Sequence, residues 1–363
     1  MQACDIVLRQ SQACSFRSND MPMSTYKRLT IDDIARMAGV SRTTASMVLN
    51  GRAEQFRISA ATQERVLTTA RDNNFQPSHS ARALRSGCSN TLGLIIPELT
   101  NFAHASLAQA MEPICHQAGY QLLVVSSNDD IAQETAGIEH LIARQVDGLM
   151  VVPCSPDPET YLKWSKRLPF CLVDRRIDNA SLPYVVTDAE GAVTTMMLDA
   201  LSSGGVDEAY YFGGQPHLSP SIDRLRGFRA ALARVGLQEL SGWVRARDYR
   251  RQSGYELMQE CYRDLGRYPR VLFTGSITLL EGALAYISEH DHFAIAPQRI
   301  MTFDDHYLLD CLPVRIDAIQ QDSQTLATAS LERLIGMINK QPPTSVTVPA
   351  RLHWRSRTSE TAA

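Results

Sequence analysis

The sequence predicts two architectures in one chain: a small all-α helix-turn-helix head and a larger α/β core of two doubly wound parallel-sheet lobes. Three observations carry this. Residues Thr30 to Gly51 read as two short helices about a glycine turn. From Thr91 onward, short apolar runs alternate with helical stretches, a pattern that favours parallel sheets covered on both faces. The charge also divides unevenly: residues 24–87 hold ten Lys/Arg against five Asp/Glu, whereas the rest of the chain holds 26 against 34. A basic head on an acidic body fits a DNA-binding unit joined to one that does not touch DNA.

The head is legible position by position. In TIDDIARMAGVSRTTASMVLNG, Thr30 can cap a first helix, with Asp33 near its positive end. Ile31, Ile34, Ala35 and Ala38 recur at helical spacing and form its apolar face. Gly39 supplies the turn. Ser41 can cap a second helix whose Ala45, Val48 and Leu49 face inward, and Gly51 sits where a C-terminal cap belongs. Arg42, Thr43, Ser46 and Met47 then face outward. Such a second helix lies in the major groove of DNA; the competing reading is a helical pair inside a larger core. A polar loop, RAEQFR, follows. A third helix is expected from about Ser59 to Asn74, with Val66, Leu67 and Ala70 on its apolar face, and Pro77 stops it.

Ser78 to Gly87 is helix-compatible but only about two turns long, too short to hold in water unless docked. Arg82 and Arg85 can meet phosphates. Leu84 has no obvious apolar partner, so a minor-groove wedge and a plain flexible linker are both open. The full DNA-facing set in the head is Thr30, Ser41, Arg42, Thr43, Thr44, Ser46, Met47, Asn50 and Arg57. The linker adds His79, Arg82 and Leu84.

In the core, strands are expected at Leu92–Ile96, Gln121–Ser126, Gly148–Val152, Phe170–Val173, Ala209–Phe212, Val271–Thr274 and Arg299–Phe303. Helices are expected at Ala105–Ala118, Glu134–Arg144, Ile222–Val235, Ser253–Leu265 and Thr278–His290. About ten such units are too many for one small sheet, so two lobes are expected, with a break near Pro183–Asp188. Polar residues recur where these strands end, at the edge where open parallel sheets bind ligands. They are Asp174 and Arg175, then Ser219, Ser221 and Arg224, then Asp304-Asp305-His306, and Gln321-Asp322. Carboxylates with arginines and amides suit vicinal hydroxyls, and spare arginines suit a phosphate. Each residue alone is also explained by a structural ion pair or a cap.

Other functional classes find little support. The eight cysteines, at positions 4, 14, 88, 115, 154, 171, 261 and 311, form no CxxC pair, so neither zinc nor a thioredoxin-like site is indicated. Scattered thiols suit a reducing cytoplasm. The first strand is followed by IIPELTNF, without the glycines of a dinucleotide site. No P-loop, HExxH or GxSxG occurs. Neither a catalytic group, a metal nor a cofactor is expected. No apolar run approaches the ~18 residues that suggest a membrane span. Residues 1–22 lack the apolar stretch of a signal peptide, and translation is expected to begin at Met21 or Met23.

The stretches TIDDIARMAGVSRTTASMVLNG, ISAATQERV, NNFQPSHSARALRSG and TLGLIIPEL together resemble the lactose/galactose repressor (LacI/GalR) family, over about residues 28 to 350. Within that family, SRTTASMVLNGRAEQFRIS, RQVDGLMV, LSPSIDRLRGF and TFDDHYLLDCLPVRIDAIQQD are similar to its sucrose-operon and fructose-responsive branch. The resemblance implies a cytoplasmic transcription regulator with a core like a periplasmic sugar-binding protein. It places base-reading positions on Arg42, Thr43 and Met47, and an intercalating hinge leucine on Leu84. It places effector contacts on Asn101, Phe102, His104, Asp174, Ser221, Arg224, Tyr249, Asp304 and Gln321. Ser276-Ile277 stands where many relatives have Asn-Asp, so one expected sugar contact is weakened or replaced there, and Ser276 is counted in the effector set. Arg175 and Ser219 complete the effector set. HWRSRTSETAA carries no leucine heptads, which points to a dimer without a tetramerising tail.

The expected organisation is an N-terminal extension (1–25), the helix-turn-helix domain (26–76), a hinge helix and linker (77–89), the two-lobed core (90–350) and a C-terminal tail (351–363). Chain crossings between the lobes are expected near 187, 320 and 346. The expected function is a homodimeric repressor of sugar-utilisation genes, bound to a pseudo-palindromic operator and released by a sugar or sugar phosphate. The alternatives are a sugar-binding protein without regulatory role, an activator using the same operator binding, and an enzyme acting on sugar phosphates.

Overall fold

A computed structural model describes residues 29–75, 88–178, 181–202 and 205–357. They form two compact units, a head and a core. The expected N-terminal extension and most of the hinge lie outside the described residues.

The head holds three helices, α1 (Ile31–Met37), α2 (Arg42–Leu49) and α3 (Ala60–Asp72). Thr30 and Asp33 exchange hydrogen bonds in a full capping box on α1. Ser41 caps α2 through Thr44 N, and Ser59 caps α3 through Thr62 N. These side chains satisfy backbone donors that a helix start leaves unpaired. Gly39 turns between α1 and α2 with φ +64°, in the left-handed region that costs a glycine nothing. The α2 cap is Asn50, and Gly51 follows it in the left-handed conformation at φ +68°. Ile34, Ala35, Ala38, Ala45, Val48, Ala53, Val66 and Ala70 form the shared core. Leu67, expected on the apolar face of α3, is instead 42 % exposed. Val66 and Ala70 point inward one turn apart, and the next position lies about 100° round the helix, toward water.

The core unit has two six-stranded sheets with matching strand order. The first contains β1 (Thr91–Ile96), β2 (Gln121–Ser126), β3 (Gly148–Val151), β4 (Phe170–Val173), β5 (Tyr184–Thr187) and β11 (Val346–Val348). Its order is β11-β5-β4-β3-β1-β2, all parallel. The second contains β6 (Tyr210–Gly213), β7 (Val244–Ala246), β8 (Val271–Thr274), β9 (Arg299–Phe303), β10 (Ile316–Gln320) and β12 (Arg351–His353). Its order is β12-β10-β9-β8-β6-β7, parallel apart from β12. The central strands read as continuous apolar runs, such as FCLV and VLFT, because both their faces are covered.

Helices α4 (Phe102–Gln117), α5 (Ile131–Ala143) and α6 (Glu159–Ser165) follow β1, β2 and β3; α8 (Ser219–Val235), α9 (Arg251–Leu265) and α10 (Ile277–Asp291) follow β6, β7 and β8. Two helices change sides. After β5 the chain enters α7 (Ala189–Ser202), whose Val193, Met196 and Met197 join the core of the second lobe. After β10 it enters α11 (Ser323–Ile338), whose Leu326, Leu331 and Leu334 join the core of the first. A third crossing separates β11 from β12. The stretch expected as a break, Pro183–Asp188, is therefore largely a buried strand, and the crossing follows it.

The expected C-terminal tail also begins inside the fold. Arg351–His353 pairs antiparallel with β10, and the backbone N–H groups of Arg355 and Ser356 donate to Asp317 at 2.7 and 2.9 Å. Asp317 is fully buried, and such a carboxylate demands donors from every neighbouring segment.

Candidate functional site

In the head, Arg42 and Thr43 are exposed on α2, while Ser46 and Met47 are half-buried beside them. Arg42 lies 3.4 Å from Asp32 of α1. Several predicted DNA contacts are held by the helix itself. The hydroxyls of Ser41 and Thr44 meet at 2.8 Å, Thr30 bonds to Asp33, and Asn50 donates to the Ser46 carbonyl. Arg57 is exposed with φ +51°. His79, Arg82 and Leu84 lie outside the described residues.

The core brings the carboxyl ends of both sheets to one cleft of about 670 Å³, counted with its solvent-open mouth. Nine of the predicted effector residues line it: Asn101, His104, Asp174, Arg175, Arg224, Tyr249, Ser276, Asp304 and Gln321. Three do not. Phe102 stands at the adjoining groove, edge-on to His306 with ring centres 4.5 Å apart. Ser219 accepts from the Arg176 backbone N–H at 2.8 Å, and Ser221 is hydrogen-bonded to the Tyr249 hydroxyl at 2.7 Å. Their hydroxyls are taken up by these protein partners, although Pro220 between them lines the cleft.

The first lobe contributes the end of β1, the start of α4 and the loops after β2 and β4. Asn101 is the N-cap of α4 and accepts from Ala103 N and His104 N. His104 on that turn is buried, with Nε2 3.8 Å from Asp174. Burial drives its pKa down to about 4, and Asp174 only partly offsets this. The ring is therefore neutral near pH 7, and its contact with Asp174 is not an ion pair. Arg175 is buried and forks onto both oxygens of Asp129 at 2.6 and 3.4 Å, with a further bond to the Pro153 carbonyl. Burial pushes the Asp129 carboxyl up, but Arg175 more than reverses this and leaves it lowered.

The second lobe contributes the loops after β7, β8 and β9 and the start of α8. Arg224 lies 3.8 Å above the Phe303 ring and donates to the Gly275 carbonyl at 2.5 Å. Its Nε has no protein partner. Asp304 is buried, accepts from Gln321 Nε2 at 2.8 Å, and has its pKa raised by burial. Ser276 caps α10 through Leu279 N. Gln215, also lining the cleft, has a buried Oε1 without a partner.

Sequence reasoning missed Glu98, Asp129, Gln215, Asp248 and Arg250, which also line the cleft. Asp129 had a usable signal: it follows β2 closely, at the same sheet edge that identified Asp174. Asp248 has that signal too, after β7, but β7 is only three residues long. His306 and Asp305 fall beside the cleft; Asp305 pairs with Arg355 at 2.8 Å. The cleft thus combines carboxylates, neutral imidazole, amide and guanidinium groups, including a buried donor and a buried acceptor that no protein atom satisfies. Such a surface suits a small molecule rich in hydroxyl groups.

A helix-turn-helix head joined to a two-lobed, hydroxyl-binding core defines a class: ligand-responsive DNA-binding regulators. Residues 30–78 match the model of bacterial regulatory proteins of the lacI family. Residues 89–346 match that of periplasmic binding proteins and the sugar-binding domain of the LacI family. The chain belongs to the LacI family. It is 43 % identical over 331 residues to the sucrose operon repressor of Klebsiella pneumoniae, covering 91 % of this chain and 98 % of that protein. It is 34 % identical to the fructose operon regulatory protein of Vibrio cholerae serotype O1, covering 90 % of this chain and all of the relative. Among solved structures, the Cra dual regulator of Pseudomonas putida in complex with fructose 1-phosphate superimposes with a TM-score of 0.68 at 31 % identity. It covers 74 % of this chain and 99 % of that one. The Lac repressor dimer bound to operator and the anti-inducer ONPF superimposes with a TM-score of 0.78 at 22 % identity, over 91 % and 98 % of the two chains; at that identity the likeness concerns the fold.

Proposed function

We propose that this protein is a homodimeric, cytoplasmic repressor of sucrose or fructose utilisation genes, released from its operator by a sugar or sugar phosphate held between the core lobes. The observation that carries the effector half is the pairing of Asp174 and Asp304 across one cleft with the partnerless Arg224 Nε and Gln215 Oε1. Carboxylates accept from vicinal hydroxyls, and the guanidinium and amide groups beside them donate in turn. The operons in the names of the two relatives support the gene class, and the bound fructose 1-phosphate of the Cra structure supports the ligand class. Arg42, Thr43 and Met47 read bases in the major groove; twofold pairing of heads matches a pseudo-palindrome. Leu84 of each hinge opens a minor-groove step. Among the described residues no helix is long and apolar enough to cross a membrane.

The test is an operator-binding titration with sucrose, fructose, fructose 1-phosphate, fructose 6-phosphate and glucose. One fructose-containing compound is expected to release the operator while nonspecific DNA binding stays nearly unchanged. A coupling of about 1–3 kcal/mol shifts operator affinity some 5–150-fold. Operator binding indifferent to all five would overturn the effector assignment.

A further inference from the structure

Arg176 belongs to the first lobe, in the loop after β4, and Asp223 to the second, on α8. Their side chains meet in a two-pronged pair: Arg176 Nη2 lies 2.9 Å from Asp223 Oδ1, and Nη1 reaches the other oxygen. The Arg176 backbone N–H donates to Ser219 Oγ on the same helix. Both side chains are largely shielded, at 17 % and 11 % exposure, so the contact is screened less than a surface pair. Neither residue lines the cleft, yet Arg176 directly follows Arg175, and Asp223 directly precedes Arg224, which both do. The contact therefore ties the two walls of the cleft together one residue behind the groups that face the ligand.

Each member also has a second partner on its own lobe. Arg176 Nε donates to Asp178 at 2.9 Å. Asp223 has Arg226 one helical turn away at 3.8 Å. When the lobes part, neither charge is left without a counter-charge, so opening avoids the large cost of stranding a shielded ion.

We propose that Arg176, Asp223 and Ser219 form a reversible clamp between the lobes, and that this clamp sets how readily the cleft closes on its effector. Arg176 and Asp223 are positioning residues: they act through Arg175 and Arg224 and on the spacing of the two walls. A clamp made only in the closed arrangement shifts the lobe equilibrium toward it and removes part of the cost of closing on a ligand. The effector part of the proposal rests on the sugar-binding reading given above.

The experiment reads the lobes directly. Full-length protein with Cys4, Cys14, Cys88 and Cys311 changed to Ser carries spin labels at Lys166→Cys and Ala233→Cys. Labelled chains are diluted in excess unlabelled chain, so that distances within one chain are read. Without ligand, Asp223→Asn and Arg176→Gln are expected to broaden and lengthen the interlobe distance distribution. The exchanged pair Arg176→Asp with Asp223→Arg, made together with Asp178→Asn and Arg226→Gln so that no like charges stand side by side, is expected to restore it. In calorimetry with fructose and fructose 1-phosphate, the single variants are expected to bind the active compound at least tenfold more weakly, with the exchanged pair within threefold of the unmodified protein. Unchanged distance distributions in both single variants overturn the clamp, as does failure of the exchanged pair to restore the distribution while it melts like the unmodified protein. If the distances respond but the unmodified protein binds neither sugar, the clamp stands and the sugar reading fails.

Discussion

Asp174 and Asp304 occupy the same position in the two lobes. Each follows the fourth strand of its lobe, each has left-handed backbone, with φ +65° and +71°, and each donates its backbone N–H to the neighbouring strand at 2.9 Å. The two sheets have matching strand orders, so the corresponding loop of each lobe brings its carboxylate to the cleft. Left-handed backbone is uncommon for a residue other than glycine, though less so for Asp, and at both places it aims a carboxylate out of the sheet edge.

Asp304→Asn separates binding from folding. Burial raises the Asp304 pKa, so its charge at pH 7 costs stability that was present below the ordinary carboxylate range. The neutral amide is expected to raise the melting temperature of the ligand-free protein. It is expected to weaken sugar binding at least tenfold, about 1.4 kcal/mol, because an amide nitrogen cannot accept from a hydroxyl. Parallel melting and calorimetry check both; loss of stability without loss of affinity would show that Asp304 serves the fold.

The burial of neutral His104 makes core stability fall with acid. Its pKa is about 4 in the folded chain against an ordinary 6.5. The unfolded chain thus binds the proton more readily between these values, and stability rises with pH across that window. Its contribution is complete above about pH 6.5 and declines toward pH 4, with about 2 kcal/mol gone at pH 5. Chemical denaturation at pH 8, 6 and 5 should show this slope, reduced in His104→Asn.

Arg42→Ala tests the head. Arg42 is exposed on α2, where a guanidinium can take a guanine edge two-pronged. Its loss is expected to cost about 1–3 kcal/mol on the matched operator and to relax discrimination at one base pair. Binding across single-base operator variants gives the answer; uniform weakening on all of them would make Arg42 a phosphate contact.

Gly282→Ala tests the packing behind the cleft. An added Cβ at Gly282 would stand 1.9 Å from the Arg251 carbonyl oxygen, and one at Gly254 2.1 Å from that of Leu279. Helices α9 and α10 therefore touch backbone to backbone, and neither obstacle is a side chain that can swing away. The expected destabilisation is at the upper end of the ~1–3 kcal/mol range for overpacking, or beyond it. A melting curve shows it; an unchanged midpoint would mean that the helices move apart freely.

Local chemistry was enough to read much of this molecule. Caps at Thr30, Ser41 and Ser59, the turn at Gly39 and apolar runs such as FCLV are short-range signals, and each acts within a few residues of itself. The same holds for Asp174, Arg175 and Asp304, which announce themselves as polar residues at strand ends. The signal failed where an element owes its existence to a distant partner. β12 forms because β10 offers an edge and buried Asp317 needs donors from Arg355 and Ser356. β7 is three residues long, too short to carry a periodic signal that would mark the loop holding Asp248.

The sequence by itself determined the helix-turn-helix, the two parallel-sheet lobes and the chemistry gathered at their edges, because caps, turns and apolar period are local properties of the chain. Only the tertiary structure decided which of those edge residues face the cleft. Phe102 went to the adjoining groove, Ser219 to Arg176 and Ser221 to Tyr249, while Asp129 joined the cleft through Arg175. The reason is that a buried polar group takes the first partner that folding brings within reach, and that partner stands dozens of residues away in the chain.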